Sequence, residues 1–141
     1  MGKRLKLTHA QVIEKAGFDV LPFVKRMKGQ LNMDGPVRLE FDRKGIQASA
    51  EHDGNTCVIV LPTKKNIVKK LGLDDATAVL KQKASLFEEA AHCTCHETRH
   101  DDCVVHKTIR GIRKNLTREE QKNPYIKLKI AGLRSAQKQG K

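Results

Sequence analysis

Three short strand-like segments between residues 37 and 61 constrain the fold of this chain more than any other feature. The segment "VRLEFD", residues 37–42, alternates apolar and polar side chains, which is typical of a strand with one buried face. A weaker strand, "IQASAEH", is followed by the turn sequence "DGN" at 53–55 and by the more apolar "TCVIVLP". Together these segments predict a three-stranded antiparallel meander at about 37–61.

Helical patterns lie on both sides of this sheet. Thr8 and Gln11 match a capping box, and two short helices are predicted at 9–16 and 19–28. After the sheet, "KKNIVKKLG" predicts a short helix that ends at Gly72, and the apolar spacing in "ATAVLKQKASLFEEAA" predicts a longer one. The order of the elements predicts an α+β fold with N-terminal helices, the meander, and then a helical half that a zinc site stabilises.

The length of the chain bounds its domain organisation. A chain of 141 residues suits one domain with a hydrophobic core. We expect residues 1–122 to form a single α+β domain and residues 123–141 to form a basic C-terminal segment that is partly disordered. Within that segment "YIKLKI" alternates like a strand, whereas Ile126, Ile130 and Leu133 have helical spacing, so both structures remain open.

The sequence shows neither a membrane span nor an export signal. No apolar run approaches the roughly 20 residues that a bilayer requires, and "MGKRLKLTHAQ" lacks the apolar core of a secretory signal. We therefore expect a cytoplasmic protein with no membrane partner. In that reducing compartment, clustered cysteines bind metal more often than they form disulfides. Cys57, inside the third strand, is expected to be a buried and inert thiol.

The positive charge is concentrated near the C-terminal end. The formal net charge is +12, and residues 107–141 alone contain 11 basic and 2 acidic residues, which gives them +9. Such asymmetry indicates a polyanionic partner, with nucleic acid as the first candidate. The alternatives are a solubilising tail and an adaptor that docks its basic tail on an acidic protein surface.

Residues 92–106, "HCTCHETRHDDCVVH", hold three of the four cysteines and four of the six histidines. Within them His96, Glu97 and His100 match the pattern H-E-x-x-H, in which two histidines one helical turn apart bind zinc and the glutamate activates water. This match predicts a zinc-dependent hydrolase as an alternative function. The surrounding sequence is unfavourable for that chemistry, because Arg99 is charged, whereas zinc proteases mostly have uncharged residues at the variable positions of this motif.

The same cluster favours a structural zinc site. Cys93 and Cys95 are followed by Cys103 and His106, and thiolate and imidazole are the ligands that zinc prefers in closed tetrahedral sites. His100 is the alternative fourth ligand. The expected cofactor is therefore zinc, held by side chains of one chain.

Residues 67–83 resemble a helix-turn-helix motif. Gly72 falls where the motif places its turn glycine, and apolar residues stand on either side of it. The resemblance implies that Lys81 and Lys83, on the second helix, face the major groove of DNA.

Taken together, these patterns predict a small basic protein, stabilised by zinc, that binds DNA or RNA in a regulatory or accessory role. With four Phe, one Tyr and no Trp, the chain is poorly suited to stack bases, so its contacts should be mainly to phosphate. The choice between DNA and RNA and the oligomeric state remain open. The residues predicted to contact nucleic acid are Lys81, Lys83, Lys107, Arg110, Arg113, Lys114, Lys127, Lys129 and Arg134.

Overall fold

The structure is a computed structural model that describes residues 8–94 and 100–139; for 100–103 and 137–139 it describes the backbone alone. Within these ranges the chain forms seven helices and a three-stranded sheet, which confirms the predicted α+β class. No helix in the described ranges is both long and apolar enough to cross a bilayer. In chain order the elements are α1 (His9–Ala16), α2 (Val20–Leu31), β1 (Val37–Asp42), β2 (Ser49–Asp53), β3 (Thr56–Pro62), α3 (Lys64–Leu71), α4 (Asp75–Thr94), α5 (His100–Asn115), α6 (Arg118–Gln121) and α7 (Pro124–Gln139).

The sheet has the strand order β1-β3-β2. The central strand β3 is antiparallel to β2 but parallel to β1, so Ile59 lies opposite Ala50 on one side and Leu39 on the other. The three strand segments are as predicted, whereas the antiparallel meander is wrong. The reason is the connection at 43–48: six residues can cover the roughly 10 Å between strands that flank a third. The chain therefore crosses the end of β3 and leaves the most apolar strand in the centre.

Local sequence signals set the ends of several helices. The side chain of Thr8 accepts a hydrogen bond from the Gln11 backbone N–H (3.2 Å), and the Gln11 side chain accepts one from the Thr8 N–H (2.8 Å). This confirms the predicted capping box at the start of α1. Gly17, with φ +90°, ends the same helix in the left-handed conformation that glycine adopts most readily.

Helix α4 belongs to both hydrophobic clusters of the molecule. Leu86 and Phe87 contribute to a first cluster with α2 and the sheet, while Leu80 and Ala84 contribute to a second cluster with α5 and α7. Gln82 is fully buried, and its Nε2–H donates to the Pro62 carbonyl oxygen at 2.6 Å, which ties α4 to the end of β3. The sheet and the C-terminal helices are thus packed on opposite sides of one helix.

The C-terminal segment contributes to this second cluster. Residues 124–139 form a helix and not a strand, with Pro124 at its first position, where the missing N–H costs nothing. Ile126 is fully buried and Leu133 nearly so. Because both side chains belong to the second cluster, the hydrophobic core continues across the predicted domain boundary at residue 122.

The crossing of α4 and α5 depends on Gly111. A Cβ atom at this position would lie well inside van der Waals contact with the ring of Phe87. The two helices therefore approach as closely as they do because residue 111 has no side chain.

We predict opposite effects for the same substitution at two helical glycines. Gly111→Ala should lower the free energy of unfolding by about 1–3 kcal/mol, because Phe87 or the helix must move. Gly29→Ala should raise it by up to about 1 kcal/mol, because the exposed Gly29 in α2 has open space around it and alanine favours the helix. Urea denaturation of both variants measures the difference. A stabilising effect of Gly111→Ala would contradict the close approach of α4 and α5.

Candidate functional site

Helix α5 separates buried apolar residues from exposed basic ones. Ile109 and Ile112 face the second hydrophobic cluster, whereas Arg110, Arg113 and Lys114 are exposed. At 3.6 residues per turn these three side chains fall within about 100° of arc on one side of the helix. Helical spacing therefore places these cations on one shared face, which is carried by a helix that the core holds in place.

A fourth cation lies beside the end of α5 and comes from α2. The Nε–H of Arg26 donates to Oδ1 of Asn115 at 3.3 Å, and Nδ2 of Asn115 donates to the Gln30 side chain at 2.9 Å. Asn115 thus connects α5 to α2, although Arg26 and Asn115 are 89 residues apart in the sequence. We call Arg26, Arg110, Arg113 and Lys114 the α5 basic surface. No sequence pattern identifies Arg26 as part of this surface, because its proximity to Asn115 follows from tertiary packing alone.

The other predicted contact residues differ in their availability. Lys127 and Arg134 are exposed on α7. By contrast, Nζ of Lys107 donates to the Thr94 hydroxyl at 3.0 Å, and Nζ of Lys129 lies 2.6 Å from a carboxylate oxygen of Glu88. Among the ion pairs of the described residues, none includes a cation of the α5 basic surface. That surface therefore keeps its charge available for a ligand.

The segment that resembles a helix-turn-helix forms two helices, α3 and α4, joined by a turn. Gly72 ends α3 with φ +66°, as the motif requires. However, α4 is packed on several sides, and Lys83 on this helix forms an ion pair with Glu120 at 3.4 Å. Lys81 is half-buried, and desolvation lowers the pKa of its ammonium group, with a smaller contribution from the neighbouring Lys129 ammonium. A recognition helix needs an exposed face, so this packing argues against a major-groove role for Lys81 and Lys83.

The predicted zinc ligand Cys93 is bonded to Cys57. The two cysteines, with Cα atoms 6.2 Å apart, form a disulfide that links β3 to the last turn of α4. The interpretation of Cys57 as an inert thiol is therefore wrong for this structure. Zinc binds thiolates, and a sulfur in a disulfide has none to offer, so in this oxidation state Cys93 is not a zinc ligand. No sequence rule fixes which cysteines pair, which is why this bond was missed.

The remaining parts of the predicted metal cluster are only partly within the described residues. Cys95, His96 and Glu97 lie outside them, as do the side chains of His100 and Cys103. His106 is exposed on α5. The zinc site and the H-E-x-x-H hydrolase motif therefore stay predictions.

A different set of metal-ligating side chains lies on the C-terminal half of α4. Each of Glu88, Glu89 and His92 offers one ligand atom, and these three atoms lie within 4.8 Å of one another. Their spacing explains this proximity, because residues three and four apart share one face of a helix. The same spacing could have identified this cluster from the sequence, but the predicted metal site was based on the neighbouring cysteines instead.

A cleft of about 410 Å³ lies between this part of α4 and the edge strand β2. Glu89 and His92 line one wall, and Glu51 and His52 line the other. The Nε2–H of His52 donates to the carbonyl oxygen of Cys93 at 3.1 Å, which holds the imidazole between the two elements. Burial raises the pKa of Glu89, and the neighbouring Glu88 carboxylate raises it further.

The disulfide leads to a prediction about zinc uptake. Without a reductant, the Cys57→Ser variant should bind one more zinc ion per chain than wild type, whereas wild type should gain this ion only after reduction, because only then is Cys93 a thiolate. Cys93→Ser serves as the matched control: it loses the same disulfide, which contributes roughly 2–4 kcal/mol, but should not gain this additional zinc ion in either state. Zinc content after desalting and a thiol count measure the outcome. Equal zinc uptake by oxidised and reduced wild type would remove Cys93 from the ligand set.

The raised pKa of Glu89 predicts a pH-dependent stability of the metal-free protein. A carboxyl whose pKa is higher in the folded state stabilises the fold at low pH, and this contribution is lost as pH rises through the folded-state pKa. Glu89→Gln should therefore unfold at higher urea concentration than wild type at pH 7, and the difference should shrink toward pH 4. Glu14→Gln, on the exposed side of α1, controls for the loss of one negative charge. A stability difference between Glu89→Gln and wild type that grows toward acid pH would contradict a raised pKa of Glu89.

Comparison with protein-family models, with curated proteins and with solved structures finds no match for this chain. Function is therefore inferred from the residues and the geometry described above.

Proposed function

We propose that this protein binds DNA or RNA through the α5 basic surface, with contacts mainly to phosphate. The observation that supports this most directly is the placement of Arg110, Arg113 and Lys114: three exposed cations within one arc of a helix whose other side is buried. Arg26 adds a fourth cation at the end of the same helix, where its guanidinium donates to Asn115.

The spacing of these side chains suits a polyanion. Residues three and four apart on a helix have Cβ atoms about 5–6 Å apart, so their charged groups can reach neighbouring phosphates together. The guanidinium groups of Arg110 and Arg113 can each hold a phosphate through two parallel hydrogen bonds. Since the helix is already fixed by Ile109 and Ile112, binding orders only the side chains and not the backbone.

The proposal specifies backbone recognition rather than base reading. Helix α5, which carries three of these cations, contains no Phe, Tyr or Trp that could stack on bases. Affinity should therefore come largely from counterion release, depend strongly on salt and vary little with nucleotide sequence.

Zinc fits this proposal as a stabiliser of α5. Cys103 and His106 belong to the first two turns of that helix. If they bind zinc in the reduced protein together with Cys93 and Cys95, with His100 as the alternative to His106, the ion fixes the start of the helix that carries the basic surface. Hydrolysis through His96 and Glu97 gains no support from the described residues.

The proposal predicts a change in the salt dependence of binding. Replacing Arg110, Arg113 and Lys114 together by Ala should weaken binding to all sequences and flatten the slope of log affinity against log salt by up to about 3 units for duplex DNA, because each phosphate neutralised contributes about −0.9. Fluorescence anisotropy with labelled duplex DNA and with structured RNA, over a series of salt concentrations, measures the slope.

A matched triple variant separates location from net charge. Arg43, Lys65 and Lys69 are exposed on the β1–β2 connection and on α3, so their replacement by Ala removes the same three charges elsewhere. This control should change the slope much less. If wild-type protein binds neither nucleic acid at about 50 mM salt, the assignment is wrong, and the charge belongs to an adaptor that docks on an acidic protein surface or to a solvated tail.

A further inference from the structure

We propose that Glu88, Glu89 and His92 form an open binding site for one divalent transition-metal cation. This inference is independent of nucleic-acid binding and of the predicted cysteine site. It starts from the three ligand atoms on α4, all of which lie within 4.8 Å of one another. An ion with oxygen and nitrogen ligands at about 2.0–2.2 Å holds donors that share one side of it about 3–3.6 Å apart, so side-chain rotations that bring the three atoms roughly 1–2 Å closer place all of them on one ion.

The donor set selects the class of metal. Two carboxylates and one imidazole, without sulfur, suit Mn²⁺, Fe²⁺ or Zn²⁺. Mg²⁺ and Ca²⁺ prefer sites made of oxygen alone, so the imidazole of His92 disfavours them. The absence of thiolate from this set makes binding here independent of the oxidation state of Cys57 and Cys93, in contrast to the predicted zinc site.

The site is open rather than closed. All three donors come from two successive turns of one helix, so they occupy one side of the ion. Glu89 and His92 line the cleft of about 410 Å³ whose other wall includes Ser49, Glu51 and His52. The remaining coordination positions face this cleft, where water or a small ligand can occupy them, as in exchangeable and catalytic sites and unlike structural ones.

A neighbouring cation tunes the site. Nζ of Lys129 lies 2.6 Å from Oε2 of Glu88, so Oε1 of the same carboxylate remains to bind the metal ion. The lysine fixes the orientation of the carboxylate, as hydrogen-bonding partners of metal ligands commonly do. Its positive charge also opposes a second cation nearby. Replacing it by glutamine keeps a hydrogen-bond donor but removes this repulsion.

Titration of the full-length protein with Mn²⁺, followed by the electron paramagnetic resonance signal of the free ion, tests the proposal. Mn²⁺ is the chosen probe because it favours carboxylate and imidazole over thiolate. Wild type should bind one Mn²⁺ per chain with a saturable curve. Glu89→Gln and His92→Ala should each weaken binding at least about tenfold, because each removes a ligand atom. Lys129→Gln should strengthen binding, because it keeps a hydrogen-bond donor to Glu88 but removes a positive charge beside the ion.

Matched controls locate the site. Glu14→Gln and His9→Ala remove one carboxylate and one imidazole from exposed positions on α1 and should leave the Mn²⁺ affinity unchanged. Circular dichroism spectra and melting temperatures confirm that each variant is folded. The proposal is overturned if wild type shows no saturable binding at millimolar Mn²⁺, if His92→Ala binds as tightly as wild type, or if Lys129→Gln binds more weakly.

Discussion

The burial of helix α4 between two hydrophobic clusters is the constraint on which the rest of the structure depends. Its apolar residues cover the sheet on one side and α5 with α7 on the other. A helix enclosed in this way has little solvent for its polar side chains, and three of them have partners on other elements: Gln82 donates to Pro62, Lys83 pairs with Glu120, and Glu88 pairs with Lys129. These partners connect α4 to the sheet, to α6 and to α7, and they bring together the carboxylates beside the cleft.

Features that depend on neighbouring residues were predictable from the sequence, and features that depend on distant ones were not. Alternation located the three strands, and the Thr8–Gln11 pair located the start of α1, because these signals act within a few residues. The parallel pairing of β1 and β3 and the Cys57–Cys93 bond join segments far apart in the chain. Periodicity contains no information about which strands become neighbours, and spacing alone does not fix cysteine pairing.

The candidate basic surface shows the same division. Helical spacing alone placed Arg110, Arg113 and Lys114 on one face, and the structure describes them so. A count of charges cannot distinguish them from Lys107, Lys129 or Lys83, whose ammonium groups are engaged with Thr94, Glu88 and Glu120. Part of the positive charge of the C-terminal region therefore holds the protein together, and only the remainder is offered at the surface. This explains why net charge overstates the electrostatic footprint of a small basic protein.

The order of synthesis makes the position of α4 a liability for the growing chain. A ribosome releases residues 37–62 before residues 75–94, so the strands are outside before the helix that covers them. During that interval the apolar face around Ile59 and Leu61 lacks Leu86, Phe87 and Ala90 of α4, which pack in the same cluster, and both edge strands can pair with other chains. A nascent or truncated chain that ends before α4 is complete would thus be a target for chaperones and a source of aggregates, while a few dozen further residues remove the hazard.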